Sequence, residues 1–410
     1  MSLRISTNSI YESGTSQLNT LQSQMAKTQN QLSTNKRMLT AADDPIASAR
    51  ALELTQSQSM NTQFGTNRSN ANASLSLVDK SLSDVSGQIT DIQSLIVTAG
   101  NGGYSQSDRE ALATELEGRL GDLIGLANTS NGVGGYLFSG YASTTQPYSQ
   151  TPTGAAYQGD QGQRTLQVGS ARKMAISETG SAIFEAIPTG NGSFLTQAGA
   201  NNTGGGIISP GTVTDMSKAT GHNYSLTFAA SADDPAKMTY SVTDNSVDPP
   251  KAVLADQDYT AGASIAFDGI SFDIKGKPAA GDNFTVAPSQ KQSVFTTVTN
   301  LIQTLRTGAT GDAGKAALTN NLNTASQNMQ NALDNVLTVQ ASVGARMKEV
   351  DSLNSTGDDL NVQYQTTLSG LQDLDMVKAI SLYTQQQTTL QAAQVSFKTM
   401  SGLSLFNYIS

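Results

Sequence analysis

The sequence predicts a mainly α-helical protein with a β-rich insert: a long antiparallel helical rod built from the N- and C-terminal segments, with a central β-rich domain inserted. In both flanks, apolar residues recur every three or four positions, the spacing of helices that pack on partner helices. Residues 141–290 instead alternate apolar and polar side chains between Gly-rich turns, which indicates short strands. Helical spacing returns near Ser293, so helices flank the strands on both sides.

The first apolar stripe predicts one helix over about the first forty residues. Its members, on one side of that helix, are Leu18, Leu21, Met25, Thr28, Leu32, Asn35 and Leu39. Asp43, Asp44 and Pro45 then predict a break and a new helix start. An aspartate caps a helix N-terminus, and proline suits the first helical position because its missing N–H costs nothing there.

The second helix carries the most regular stripe in the chain. Its members are Leu75, Val78, Leu82, Val85, Ile89, Ile92, Ile96 and Ala99. A glycine cluster around Gly102 ends it. At about 1.5 Å per residue, a helix from Pro45 to Ala99 would be roughly 80 Å long. A third helix follows, and Ser107 with Glu110 predicts a capping box at its start.

The central strands are predicted wherever apolar residues alternate with polar ones. These groups are Tyr224/Leu226/Phe228, Met238/Tyr240/Val242, Ile265/Phe267, Phe272/Ile274 and Phe284/Val286. Beyond them, a short helix starts near Ser293 and a long one near Lys315, with Gly357 as a joint. The last stripe lies on a terminal helix and comprises Ile380, Tyr383, Leu390, Ala393, Phe397 and Met400.

Neither flank can bury its stripes alone, so we expect the N-terminal helices to pack against the C-terminal ones. Three domains are predicted: 1–43 plus 365–410 as a terminal helical assembly region, 44–140 plus 291–364 as a helical rod, and 141–290 as a β-rich outer domain.

The end stripes are interpreted as subunit contacts, because helices this rich in Gln, Ser, Thr and Asn are marginal alone. The alternative is an ordinary intramolecular core, which we prefer for the stripes of the rod. We expect the ends to order against other subunits. The candidate assembly residues are Leu18, Leu21, Met25, Leu32, Leu39, Ile380, Tyr383, Leu390, Ala393, Phe397, Met400 and Phe406.

Composition argues against several functional classes. The net charge of −9, without a basic patch, disfavours nucleic-acid binding. The absence of cysteine excludes disulfides and thiolate metal sites. A single histidine, His222, with scattered carboxylates provides no catalytic or metal constellation, so we predict no enzyme activity, cofactor or metal. No apolar run is long enough to cross a membrane, and the first residues lack the core of a cleaved signal peptide.

Several motifs together carry a resemblance to a known family. They are RISTN (Arg4–Asn8), LTAADDPIAS (Leu39–Ser48), GGYLFSGY (Gly134–Tyr141), ISFDIKGKPAAGDNFTVAPS (Ile270–Ser289), VGARMKEVDS (Val343–Ser352) and SLFNYIS (Ser404–Ser410). On these motifs the chain resembles the flagellin superfamily. Its ending is similar to that of the hook–filament junction proteins rather than to that of flagellin.

The resemblance implies a non-enzymatic structural subunit located outside the cell, in the bacterial flagellum. It implies export through the flagellar type III system without a cleaved signal peptide, and a cytoplasmic chaperone on the C-terminal helix. It also implies self-association in a ring, with the first hook-associated protein on the hook side and flagellin on the filament side. The terminal helices would line the inner tube.

Two alternatives stay open. A flagellin-like filament subunit has the same fold and would polymerise alone into long filaments. A secreted enzyme or adhesin using the β-rich insert would need polar side chains gathered in one cleft, and the sequence supplies no motif for such a cleft.

Overall fold

The computed structural model describes residues 7–402, and its helices flank a β-rich centre, which confirms the predicted fold class. The helices are α1 (Thr7–Thr34), α2 (Pro45–Ala99), α3 (Gln106–Ala127), α4 (Gly180–Phe184), α5 (Val294–Arg306), α6 (Gly311–Gln372) and α7 (Met376–Gly402).

Short strands occupy most of the region between α3 and α5. They are β1 (Tyr148–Thr151), β2 (Gly154–Tyr157), β3 (Thr165–Gly169), β4 (Arg172–Ala175), β5 (Ile187–Pro188), β6 (Phe194–Ala198), β7 (Ile207–Ile208), β8 (Thr212–Val213), β9 (Tyr224–Ala230), β10 (Met238–Asp244), β11 (Lys251–Asp258), β12 (Ser264–Phe267), β13 (Ile270–Lys275), β14 (Asn283–Pro288) and β15 (Lys291–Gln292).

The described residues divide into two compact units. The terminal unit contains the residues up to Thr66 and those from Ser352 onward, and the central unit is Asn67–Asp351. The dividing points lie within α2 and α6.

The end of α1 and the start of α6 differ from the prediction. Helix α1 ends at Thr34, because Asn35 adopts a φ of 56°, the left-handed conformation that commonly terminates helices. Leu39 therefore lies outside the helix, in segment 35–44. Helix α6 starts at Gly311, ahead of Lys315.

Gly357 is not a joint, since α6 continues through it to Gln372. Its carbonyl accepts a hydrogen bond of 2.7 Å from Asn61 Nδ2 on α2, and the same amide bonds Asn361. Gly357 therefore lies where the two long helices of the terminal unit contact each other. The break comes later, at residues 373–375.

Helix caps show one correct and one wrong prediction. Helix α2 begins at Pro45 as predicted, and Asp44 Oδ1 accepts a hydrogen bond from the Ala47 N–H. The capping box of α3, however, uses Ser105 and Asp108 instead of Ser107 and Glu110. Asp108 is the acidic residue that reaches back to the N–H of Ser105, so the helix starts one residue before Ser107.

The predicted strands from Tyr224 to Val286 are confirmed. They belong to an antiparallel sheet of order β11-β10-β9-β14-β6 and to a smaller sheet of order β12-β13-β7, in which β8 also pairs with β13. The core of this region contains Phe194, Ile208, Tyr224, Leu226, Phe228, Val242, Ile265, Phe267, Ile270, Phe272, Ile274, Phe284 and Val286.

A row of asparagines on α6 attaches this region to the helices of the central unit. Asn320 bonds the N–H of Ile208 and the carbonyl of Gly206, and Asn328 accepts from the N–H of Gly190. The remaining members of the row, which donate to backbone carbonyls, are Asn331 and Asn335. Backbone groups between Ala182 and Ile208 thus find hydrogen-bond partners on the helix.

Candidate assembly surface on the terminal helices

Helices α1 and α7 of the terminal unit form an antiparallel pair. At one end, the Leu374 N–H donates to the Asn35 carbonyl. At the other end, the rings of Tyr11 and Phe397 lie with centroids 5.0 Å apart. Gly14 provides the room for this contact, because a Cβ there would come within 2.8 Å of the Phe397 ring.

The least exposed side chains of the pair lie along one face of each helix. On α1 they include the predicted Leu18, Leu21, Met25, Thr28 and Leu32, and on α7 they are Ala379, Tyr383, Gln386, Leu390, Ala393 and Phe397. We call this the seam. Since the seam joins two helices of one chain, most members of the predicted end stripes are at least half-buried within the subunit itself.

Two predicted members of the α7 stripe lie outside the seam. The side chain of Ile380 is 52% exposed and that of Met400 is also exposed. Phe406 lies outside the described residues, and Leu39 is half-buried in segment 35–44.

The sequence prediction missed Ala379 and Gln386 because one is small and the other polar. Their positions still carried a signal. From Ala379 through Tyr383, Gln386, Leu390 and Ala393 to Phe397, the steps alternate between four and three residues without interruption. Ile380 breaks that alternation, so strict heptad spacing would have favoured Ala379 over the larger apolar neighbour.

The outer face of α7 carries exposed apolar side chains. Val377 and Val395 are 81% and 66% exposed. Since they are five helical turns apart, they point in nearly the same direction, and Ile380 lies beside them. The residues between them include the uncharged Thr384 and Gln391. We call Val377, Ile380 and Val395 the outer stripe.

Charge is scarce on this helix pair. The charged residues of α1 and α7 are Glu12, Lys27, Lys378 and Lys398. An exposed apolar stripe on weakly charged helices marks a surface suited to contact with another protein. The arrangement has the chemistry of an assembly surface.

A joint connects the helix pair to α2 and α6. Here segment 35–44 lies against residues 371–375. The Arg37 N–H donates to the Gln372 carbonyl over 2.8 Å, and the Arg37 guanidinium donates to the Leu371 carbonyl over 2.9 Å.

The two aspartates before Pro45 act differently in this joint. Asp44 caps α2, as described above. Asp43 accepts hydrogen bonds from the N–H groups of Leu39 and Thr40, and its Oδ1 lies 2.6 Å from Lys27 Nζ on α1. Lys27, together with those two backbone donors, holds the pKa of the Asp43 carboxyl well below its usual range.

His222, the only histidine in the sequence, has a structural partner. Its Nδ1 lies 2.7 Å from Asp244 Oδ2, and the Ser246 N–H donates to the other oxygen of that carboxyl. Although burial opposes it, the bond with His222 lowers the pKa of Asp244. Within residues 7–402, no group of three or more His, Asp or Glu side chains is placed to hold a metal ion. Those residues also contain no helix that is long and apolar enough to span a membrane.

Comparison with known proteins gives similarity over nearly the whole chain. Flagellar hook-associated protein 3 of Salmonella typhimurium is 30% identical over 407 residues, covering 98% of this chain and 99% of that protein. Flagellar hook-associated protein 3 of Escherichia coli is 29% identical over 405 residues, with 98% and 99% covered.

Solved structures agree with this similarity. Flagellar hook-associated protein-3 of Legionella pneumophila matches with a TM-score of 0.73 and 31% identity, covering 78% of this chain and 98% of that chain. FlgL of Xanthomonas campestris matches with a TM-score of 0.69 and 30% identity, covering 77% and 99%.

Two segments also match described families. Residues 5–143 match the bacterial flagellin N-terminal helical region, and residues 197–288 match the D2-like domain of flagellar hook-associated protein 1. The second segment includes the strands β13 and β14, whose sequence carried part of the predicted resemblance. With 30% identity to a relative over 98% of its length, the chain belongs to the flagellar hook-associated protein 3 family, a non-enzyme family of structural proteins of the bacterial flagellum.

Proposed function

We propose that the chain forms the junction between hook and filament of the bacterial flagellum. The observation that carries this proposal is the end-to-end similarity to hook-associated protein 3, which includes both terminal helices. A solved relative from Legionella pneumophila is itself described as the flagellar junction protein. The role is structural, without catalysis or a cofactor.

Subunits associate in a ring through the terminal helix pair, in the region 1–43 plus 365–410. The seam residues hold α1 and α7 together, and the outer stripe contacts the neighbouring subunit. The first hook-associated protein lies on the hook side and flagellin on the filament side. The exposed outer stripe and the small number of charges on the pair support this assignment. The rod, 44–140 plus 291–364, and the outer domain, 141–290, make up the rest of the subunit.

Export precedes assembly. The chain leaves the cell through the flagellar type III system without a cleaved signal peptide, and a cytoplasmic chaperone covers the C-terminal helix until then. The apolar surface exposed on α7 supports the need for a chaperone, because this surface would otherwise associate with other proteins before export.

Deletion of the gene in the parent cell tests the junction role. We expect cells with intact hooks but no filaments, and flagellin monomers released into the medium. Reintroduction of the wild-type gene should restore the filaments. Filaments of normal number in the deletion strain would contradict the proposal.

A flagellin-like filament subunit is the second candidate, favoured by the match of residues 5–143 to the flagellin helical region. The two candidates differ in self-assembly. The purified junction protein should remain in short oligomers, whereas a filament subunit should polymerise alone. Long filaments of the purified protein, seen by negative-stain electron microscopy, would favour the second candidate and overturn the first.

A further inference from the structure

Both halves of the terminal unit break their helices at the same level. Segment 35–44 separates α1 from α2, and residues 373–375 separate α6 from α7. Lys36 and Asp373 form a two-residue antiparallel bridge between the breaks. The direction in which the helix pair leaves α2 and α6 is therefore set within about a dozen residues.

Little apolar packing constrains this joint. The residues of segment 35–44 are exposed or half-buried, and none of them is fully buried. Its geometry depends on hydrogen bonds and charge, with the Arg37 contacts on one side and the Asp43 contacts on the other. Segments held in this way open more readily than packed cores.

Asp43 has a distinct place among these contacts. Its two backbone bonds fold the chain just ahead of α2, and its bond to Lys27 reaches back to α1. The carboxyl thus links the helix before the break to the segment after it. Its side chain is 18% exposed, against 52% for Lys27, so the ion pair is partly shielded on the carboxylate side.

We propose that the Lys27–Asp43 ion pair is a clasp that fixes the orientation of the α1–α7 pair relative to α2, and so presents the outer stripe for docking. Asp43 and Lys27 are positioning residues in this account. The effect of the clasp on filament assembly rests on the proposed function. Its effect on helix orientation in the isolated chain does not, and the two effects are tested separately.

The orientation can be measured in the full chain because cysteine is absent from the sequence. Ser23 on α1 and Ser59 on α2 are both exposed. Cysteines introduced at these two positions can carry spin labels, and pulsed electron–electron double resonance then measures the distance between the labels. In the labelled parent we expect one narrow distance distribution. In Lys27→Met and Asp43→Asn we expect a distribution at least twice as wide, with unchanged circular dichroism.

Matched variants separate the clasp from a general loss of charge. Lys398→Met removes a lysine at the far end of α7 and should leave the distribution narrow. Lys27→Arg keeps a cationic donor and should also remain narrow. Added salt should broaden the parent distribution and leave Lys27→Met unaffected, because salt screens an ion pair that is only partly shielded. Narrow distributions in both Lys27→Met and Asp43→Asn would overturn the clasp.

Complementation of the deletion strain tests the consequence for assembly. We expect Lys27→Met to restore severalfold fewer filaments than the wild type or Lys398→Met. If the wild type restores none, the proposed function fails while the distance measurement still stands. If Lys27→Met broadens the distribution yet restores filaments as the wild type does, the clasp has no role in docking and the inference is wrong.

Discussion

Helices α2 and α7 carry apolar stripes of the same spacing, but the two stripes have different surroundings. In the central unit, the stripe of α2 from Leu75 to Ala99 is fully buried. In the terminal unit, α7 buries Leu390 in the seam while its outer stripe remains exposed. Most of the exposed large apolar side chains of the described residues lie in the terminal unit, although it is the smaller of the two.

The difference separates two uses of one pattern. In the central unit, polar contacts accompany this burial. Asp79 on α2 accepts a hydrogen bond from Gln340 on α6, and Asp91 on α2 forms an ion pair with Arg119 on α3. That unit completes its own core. The terminal helices, joined along a single seam, leave apolar surface uncovered, which supports the proposed contact with other subunits.

Substitution of Leu390 gives the largest expected effect. Leu390→Asp puts a charge into the seam and should separate α1 from α7, because an unpaired buried charge is costly. Circular dichroism should lose the signal of these 28- and 27-residue helices, while the melt of the central unit persists. Leu382→Asp, at an exposed leucine of α7, is the matched control and should keep its helical signal. Full helicity in Leu390→Asp would show that the seam does not hold the pair.

The second-largest effect is expected for a substitution in the core of the central unit. Phe284 is fully buried, and its ring lies 5.8 Å from that of Phe228. Phe284→Ala should lower the free energy of unfolding of the central unit by about 3–5 kcal/mol. Denaturant unfolding measures this cost, and hydrogen exchange in α1 and α7 should not change. A cost under about 1 kcal/mol would contradict a close-packed core.

Two helical glycines give smaller effects that differ between the units. A Cβ at Gly121 on α3 meets nothing within 4 Å, so Gly121→Ala should stabilise the central unit by about 0.5–1 kcal/mol. A Cβ at Gly14 would come within 2.8 Å of the Phe397 ring, so Gly14→Ala should show no such gain. Thermal unfolding of both variants checks the contrast. Equal stabilisation at the two sites would mean that Phe397 does not pack against Gly14.

The smallest expected effect is on how stability changes in acid. Because the pKa of Asp43 is lowered in the folded chain, its contribution to stability is present at neutral pH. That contribution is lost as the pH falls below the ordinary pKa of an aspartate. The difference in urea midpoint between the wild type and Asp43→Asn should therefore shrink in acid, with the neighbouring Lys27, Arg37 and Asp44 unchanged. A difference that grows in acid would contradict this sign.

The sequence predicted the elements whose signal is local. The stripe of α2, the start at Pro45 and the strands around Phe228 and Phe284 follow from spacing and caps. Sequence reasoning missed the end of α1, because Asn35 terminates it through a left-handed conformation that apolar spacing does not reveal. It also placed Ile380 in the end stripe and overlooked Ala379, the residue that packs in the seam, because the larger apolar side chain outweighed the smaller one.

The asparagine row of α6 could not be read from the sequence for another reason. Asn320 and Asn328 bond backbone groups of Ile208 and Gly190, more than a hundred residues earlier in the chain. Only the folded arrangement brings these groups together. The same holds for the joint, where the partners of Arg37 lie at Leu371 and Gln372.

The role of the outer stripe in assembly is tested most directly by two valines of similar exposure. Val395 lies on α7 of the terminal unit and is 66% exposed, and Val97 lies on α2 of the central unit and is 76% exposed. Each is replaced by Asp, and filaments are counted in the complemented deletion strain. We predict that both variants fold, that Val97→Asp restores filaments, and that Val395→Asp restores none. Normal filaments with Val395→Asp would contradict the assignment of this face to subunit contact.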